Sequence, residues 1–142
     1  MRSIKQLLEG RGAPMSVQPG DTVFKALEAM AAKDIGALLV IENGKLVGIF
    51  SERDYARKVI LKGKASKDIP VSEVMSDKIV YVKPEQTVEE CMAIMTDRHC
   101  RHLPVLGPAQ EVIGILSIGD LVKETISQQK FIIEQLEQYI TQ

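Results

Sequence analysis

The chain has 142 residues, 45% hydrophobic and 26% charged, which is the composition of a globular protein and not of a disordered or membrane-embedded chain. Eighteen Lys and Arg stand against nineteen Asp and Glu, a net charge of -1, so no broad positive field exists to hold a polyanion and nucleic-acid binding is not expected. No run approaches the roughly 20 apolar residues of a membrane span, no signal-like apolar stretch follows Met1, and Cys91 and Cys100 form no C-x-x-C pair, so the expected compartment is the cytoplasm, with no membrane partner.

In chain order, residues 1–12 form an N-terminal helical segment in which Ile4, Leu7 and Leu8 share a face. An extended entry over 15–18 follows. Asp21-Thr22 then caps a helix whose Val23, Leu27, Met30 and Ala31 recur at helical spacing and which ends near Asp34. Strands at 37–41 and 46–50 flank Asn43-Gly44, a strong hairpin signal. Ser51 and Asp54 open a second helix to about Leu61 in the pattern of a capping box with Asp in place of Glu. A polar linker (63–77) ends in a helical turn over 71–75. The same order then returns: entry 79–82, helix 87–98, strands 103–106 and 112–116, helix 118–127. Residues 128–142 form a C-terminal helix with a stripe of Ile132, Ile133, Leu136, Tyr139 and Ile140.

That return is an internal repeat. Val17, Pro19, Thr22, Val23, Met30, Leu38 and Val40 recur 65 positions later; Gly48, Ile49, Ser51, Asp54 and Ile60 recur 66 positions later, after a one-residue insertion. Two copies, at 13–62 and 78–127, imply two similar α/β units related by a pseudo-two-fold axis.

The duplicated Gly48-Ile49-Phe50-Ser51-Glu52-Arg53-Asp54 and Gly114-Ile115-Leu116-Ser117-Ile118-Gly119-Asp120 stand where a strand feeds a helix. There a Ser hydroxyl and free helix N–H groups meet phosphate oxygens, and an Asp one turn in accepts ribose hydroxyls. Helix capping alone explains the same residues. These paired Gly-x-x-Ser-x-x-Asp motifs and Leu103-Pro104-Val105 resemble tandem cystathionine-β-synthase-type (CBS) domains over about residues 14–127.

The resemblance implies an α/β (α+β) fold of two β-α-β-β-α repeats, a regulatory role, and an adenosine ligand such as AMP, ADP, ATP or NAD. It implies one site in which Ser51, Arg53 and Asp54 face Lys78, Ile79 and Val80 with Arg101, His102 and Pro104. A second would join Ser117 and Asp120 to Ala13, Met15, Gly36 and Ala37. Adenylate-sensing members often read His-Arg before Leu-Pro where this chain reads Arg101-His102, which leaves open the side chain that meets phosphate. A homodimer and a separate regulated protein are the implied partners; the C-terminal stripe either joins the dimer or folds back on its own chain.

The two sites differ in charge. Arg53 and Arg101, with Arg57 and Lys58 nearby, favour a phosphate-rich ligand in the first, while Ile118 and Gly119 replace Glu52 and Arg53 in the second. The basic run Arg57, Lys58, Lys62, Lys64, Lys67 reads equally as a solvated helix end. His99-Cys100-Arg101-His102 offers at most three metal ligands, so no metal is expected. Neither a Gly-x-Ser-x-Gly elbow nor a Walker A loop is present, and no catalytic residue is assigned. The competing readings are a small nucleotide-handling enzyme using His99 or His102 as acid and base, and a ligand-free structural interaction module.

Overall fold

The computed structural model describes residues 2–141. Its elements are α1 (Ile4–Leu8), β1 (Ser16–Val17), α2 (Val23–Lys33), β2 (Ala37–Glu42), β3 (Lys45–Ser51), α3 (Glu52–Tyr55), α4 (Val88–Arg98), β4 (His102–Leu106), β5 (Val112–Ser117) and α5 (Ile118–Thr141). A π-helical turn at Ala56–Ile60 continues α3, and a 3-10 turn covers Val71–Glu73.

Each repeat builds one sheet and one core. In the first, β1 runs parallel to β2 and β2 antiparallel to β3, and Val17, Val23, Met30, Leu38, Val40 and Phe50 are buried together. In the second, β4 and β5 pair antiparallel over a core that includes Val82, Val88, Met95, Leu103, Val105 and Leu116. The repeat extends to detail: Thr22 and Thr87 cap α2 and α4 by accepting N–H bonds from Lys25 and Glu90, and Asp34 and His99 end those helices with φ of 52° and 54°. The ladders slip at matching places, after Val40 and after Val105.

The inserted residue lies in the hairpin turn. Asn43 and Gly44, both at positive φ, close the first hairpin in two residues, whereas the second needs the loop 107–111.

Three expectations change. The entry strand expected at 79–82 is reduced to one parallel bridge between Val82 and Val105, in which Val82 N–H donates to Pro104 O and Val82 O accepts from Leu106 N–H. The helix expected through Leu61 is α-helical only to Tyr55; a wider turn follows, with Leu61 N–H bonded to Ala56 O at 3.2 Å and Val59 buried. The helices expected at 118–127 and 128–142 are one helix over Ile118–Thr141, since no Gly or Pro interrupts Leu121 to Thr141; residue 142 of that expectation lies outside the described residues.

The segment preceding each repeat packs on the other repeat. Ile4 N–H bonds Gln86 O and Lys5 N–H bonds Pro84 O; in the first repeat Val71 N–H bonds Asp21 O and Ser72 N–H bonds Pro19 O. Thus α1 completes the second repeat and the linker turn completes the first, with Ile4 and Val71 each fully buried. Arg2 strengthens the first docking by a two-pronged ion pair with Glu124, which is 5% exposed.

Candidate functional site

Each Ser-x-x-Asp motif folds as a capping box. Ser51 N–H donates to Asp54 Oδ2 at 2.9 Å and Asp54 N–H donates to Ser51 Oγ at 3.2 Å. Ser117 and Asp120 do the same at 2.8 and 3.1 Å. The capping explanation is therefore satisfied in both copies. It uses chiefly one carboxylate oxygen, so Oδ1 of each Asp is left to face outward. Asp54 Oδ1 meets Lys58 Nζ at 3.2 Å, and Asp120 Oδ1 meets an Arg11 guanidinium nitrogen at 3.0 Å.

Beside each box is a cleft. The first, about 450 Å³, is walled by Ser51, Glu52, Arg53 and Asp54 from the first repeat and by Lys78, Val80 and Arg98 through His102 from the second. The second, about 320 Å³, gathers Asp34 to Ala37 of the first repeat against Ser117, Asp120, Ile115 and His102 of the second, with Arg11 between. Gly36 and His102 line both clefts, so the wall between them is thin. A Cβ on Gly36 would lie 3.7 Å from His102 Nε2 and from Glu52 Oε1.

The sequence-derived residues divide accordingly. Ser51, Arg53, Asp54, Lys78, Val80, Arg101 and His102 meet at the first cleft; Ser117, Asp120, Gly36 and Ala37 meet at the second. Ile79 is on neither wall. Pro104 is also absent: it is buried in β4, where its carbonyl accepts the Val82 N–H, so its contribution is to the sheet. Ala13 is exposed and Met15 packs against the first core, because the entry segment presents Arg11 to the cleft instead. Arg57 lines neither cleft, and Lys58 bridges Asp54 to Val74 O.

Arg11, Asp34, Arg98 and His99 were not singled out from the sequence as members of these sites. Asp34 and His99 had a usable signal, since they occupy the same position of the two repeats, two residues before Gly36-Ala37 and Arg101-His102. Arg11 had none: it reaches Asp120 across 109 positions of chain.

Burial pushes the His102 imidazole below its ordinary pKa, helped by Arg101 and opposed by Asp120 and Glu52, so the ring is neutral at pH 7. Burial acts to raise Asp120, but the Arg11 pair and the Ser117 bonds outweigh it and hold the carboxyl below its usual range. Burial raises the Cys91 thiol to about 11 and also raises Cys100, which borders the first cleft, so neither is a reactive thiolate at neutral pH. Among the described residues no three His, Cys, Asp or Glu side chains converge as metal ligands.

The arrangement therefore offers hydroxyl-accepting carboxylates at helix starts, with cations concentrated in one cleft. A family model described as "CBS domain" matches residues 11–61 and 71–127. The mitochondrial CBS domain-containing protein CBSX3 of Arabidopsis thaliana is 38% identical over 125 residues, covering 84% of this chain; the chain spans 60% of that protein's length. A solved protein with CBS domains from Burkholderia ambifaria superposes with TM-score 0.85 at 45% identity, covering 90% of this chain and 96% of its own. A more distant CBS domain pair, solved with 5′-methylthioadenosine and S-adenosyl-L-methionine, shares the fold at TM-score 0.79 and 19% identity, covering 90% and 98% of the two chains.

Proposed function

This chain belongs to the CBS domain family as a tandem pair, and from that premise we propose that it is a non-catalytic regulatory module that binds AMP, ADP, ATP or NAD between its repeats and signals occupancy to a separate protein. The observation that carries this reading is the first cleft, where Asp54 keeps one oxygen outward at the start of α3 while Arg53, Lys78, Arg98 and Arg101 border the same 450 Å³. In the bound state a ribose hydroxyl donates to Asp54 Oδ1 in place of Lys58 Nζ. The phosphates meet the guanidinium groups, whose planar forks match phosphate oxygens. The 5′-methylthioadenosine and S-adenosyl-L-methionine bound by the distant CBS pair share the adenosine of this ligand class.

Signalling follows from where the clefts lie. Both are walled by the two repeats together, so a ligand that favours one relative placement of the repeats shifts the population toward it. A homodimer joined through the helices on the outer faces would present that shift to the regulated partner.

Thermal unfolding with adenosine, AMP, ADP, ATP and NAD tests the proposal. A ligand at 100 times its Kd stabilises by roughly 2.7 kcal/mol. A shift that disappears in Asp54→Ala supports the reading. Absence of a shift with every ligand leaves the capping boxes as structural devices and favours the ligand-free interaction module, while ATP consumption traced to His99 or His102 would make the protein an enzyme.

A further inference from the structure

The two clefts are the same surface of the two repeats, so they can be compared position by position. At the positions equivalent to Arg53, Lys78, His99 and Arg101 the chain has Gly119, Ala13, Asp34 and Gly36, of which Asp34 and Gly36 line the second cleft; Arg98 of the first cleft corresponds to Lys33, which does not line the second. Three cations have become small uncharged residues, and a histidine has become an acid. Among the described residues the cation bordering the second cleft is Arg11, and it is engaged: its two terminal nitrogens stand 3.0 and 3.4 Å from the two oxygens of Asp120. With Arg11, Asp34 and Asp120 as its charged lining residues and His102 neutral, the second cleft is net negative, whereas the first has four Arg and Lys against Glu52 and Asp54.

An anion entering the second cleft would meet Asp34 and Asp120, and among the described lining residues the cation, Arg11, is already paired with Asp120. The capping Ser117 and Asp120 are nevertheless retained, with the same box geometry as in the first copy. A sugar with vicinal hydroxyls still finds its acceptor there; a phosphate does not.

We infer that the second cleft is a separate site for a nucleoside that carries no phosphate, neutral or cationic at its 5′ end, and that Asp34 and the Arg11–Asp120 pair exclude nucleotides from it. This deepens the proposed function and rests on it, because both sites use the same Ser–Asp device. Arg11 is here a specificity residue: its guanidinium stays on Asp120 and shares that carboxylate with the ribose, instead of swinging out to a phosphate. The exchange of Arg53 for Gly119 is the other half of the selection. A side chain restored at Gly119 meets only Ser117 Oγ at 3.5 Å, an ordinary contact, so the position admits arginine.

Titration calorimetry with adenosine and ATP on the full chain, and on Asp54→Ala, Asp120→Ala and Gly119→Arg, tests this. The expected pattern is two adenosine sites but one ATP site per chain. Asp54→Ala weakens ATP and one adenosine site about ten- to hundredfold and spares the other adenosine site; Asp120→Ala spares ATP and weakens that other adenosine site by a similar factor. Gly119→Arg strengthens AMP at the second cleft about tenfold or more. Two ATP per chain in the parent protein, or undiminished ATP affinity in Asp54→Ala, overturns the inference while leaving the regulatory proposal standing, as does an ATP site with no second adenosine site. If neither ligand binds any form, the regulatory proposal fails and this inference with it.

Discussion

Met75 lies over Gly48: a Cβ at that glycine would come within 2.5 Å of the Met75 sulfur and 3.0 Å of the Ser76 carbonyl oxygen. The second copy has the same relationship, with Leu8 3.1 Å from a Cβ on Gly114. Both glycines are therefore retained because the docking segment crosses directly above the strand. Gly48→Val is expected to lower unfolding free energy by about 1–3 kcal/mol through forced displacement of Met75. Chemical denaturation measures it, and an unchanged midpoint would show that the linker turn does not hold the place described.

Asp54 serves two roles that separate on substitution. Asp54→Ala removes the side-chain half of the capping box and should cost about 1 kcal/mol of stability. Its loss as a hydroxyl acceptor should weaken an adenosine nucleotide by about 1–3 kcal/mol, one to two decades in Kd. Asp54→Asn keeps an oxygen for the Ser51 N–H, so it should recover most of the stability with less of the affinity. Equal recovery of both would assign Asp54 to capping alone.

Arg101 is exposed on the first cleft. Arg101→Ala should weaken ATP more than adenosine and flatten the dependence of ATP binding on salt. Isothermal titration at two ionic strengths reads both effects; equal losses for the two ligands would point to damage in β4 instead.

His102 gives a pH dependence whose sign is fixed by its depressed folded-state pKa. The unfolded chain takes up a proton near pH 6.5 and the folded chain at lower pH, so the unfolded state binds more protons in between. Stability from this residue is complete above pH 6.5 and falls as the pH drops through the window below it. His102→Gln should flatten that part of a Tm profile recorded from pH 5 to 8; an unaltered slope there would remove His102 from the account.

The outer half of α5 bears on assembly. From Gln129 to Thr141 every residue is exposed, about 20 Å of helix at 1.5 Å per residue. Val122, Ile126, Gln129, Ile133, Leu136 and Ile140 alternate at spacings of four and three, a heptad seam with Ile at each a position. An apolar seam of this length is not a usual solvent-exposed surface, and a second copy of α5 fits the seam. Light scattering should give a dimer for the full chain and a smaller mass for a chain ending at Ser127. A dimer that survives truncation would place the contact on the repeats themselves, and a monomeric full chain would refute self-association.

The repeat, its hairpins, its helix caps and the Ser–Asp pairs were legible in the sequence because each depends on neighbours close in the chain: periodicity, Asn43-Gly44, Thr22, Thr87 and the three-residue spacing of a capping box. The continuous α5 was obscured by reading the repeat boundary as a helix boundary, although no breaker stands there. Tertiary structure alone decided what depends on long-range contact. It set α1 on the second repeat and the linker turn on the first, placed Arg11 on Asp120, withdrew Pro104 into the sheet, and made Gly36 and His102 common to both clefts. Local pattern specifies which side chains a helix start or a turn requires, but the partner of an outward carboxylate oxygen is whichever cation the packing of distant segments brings within reach.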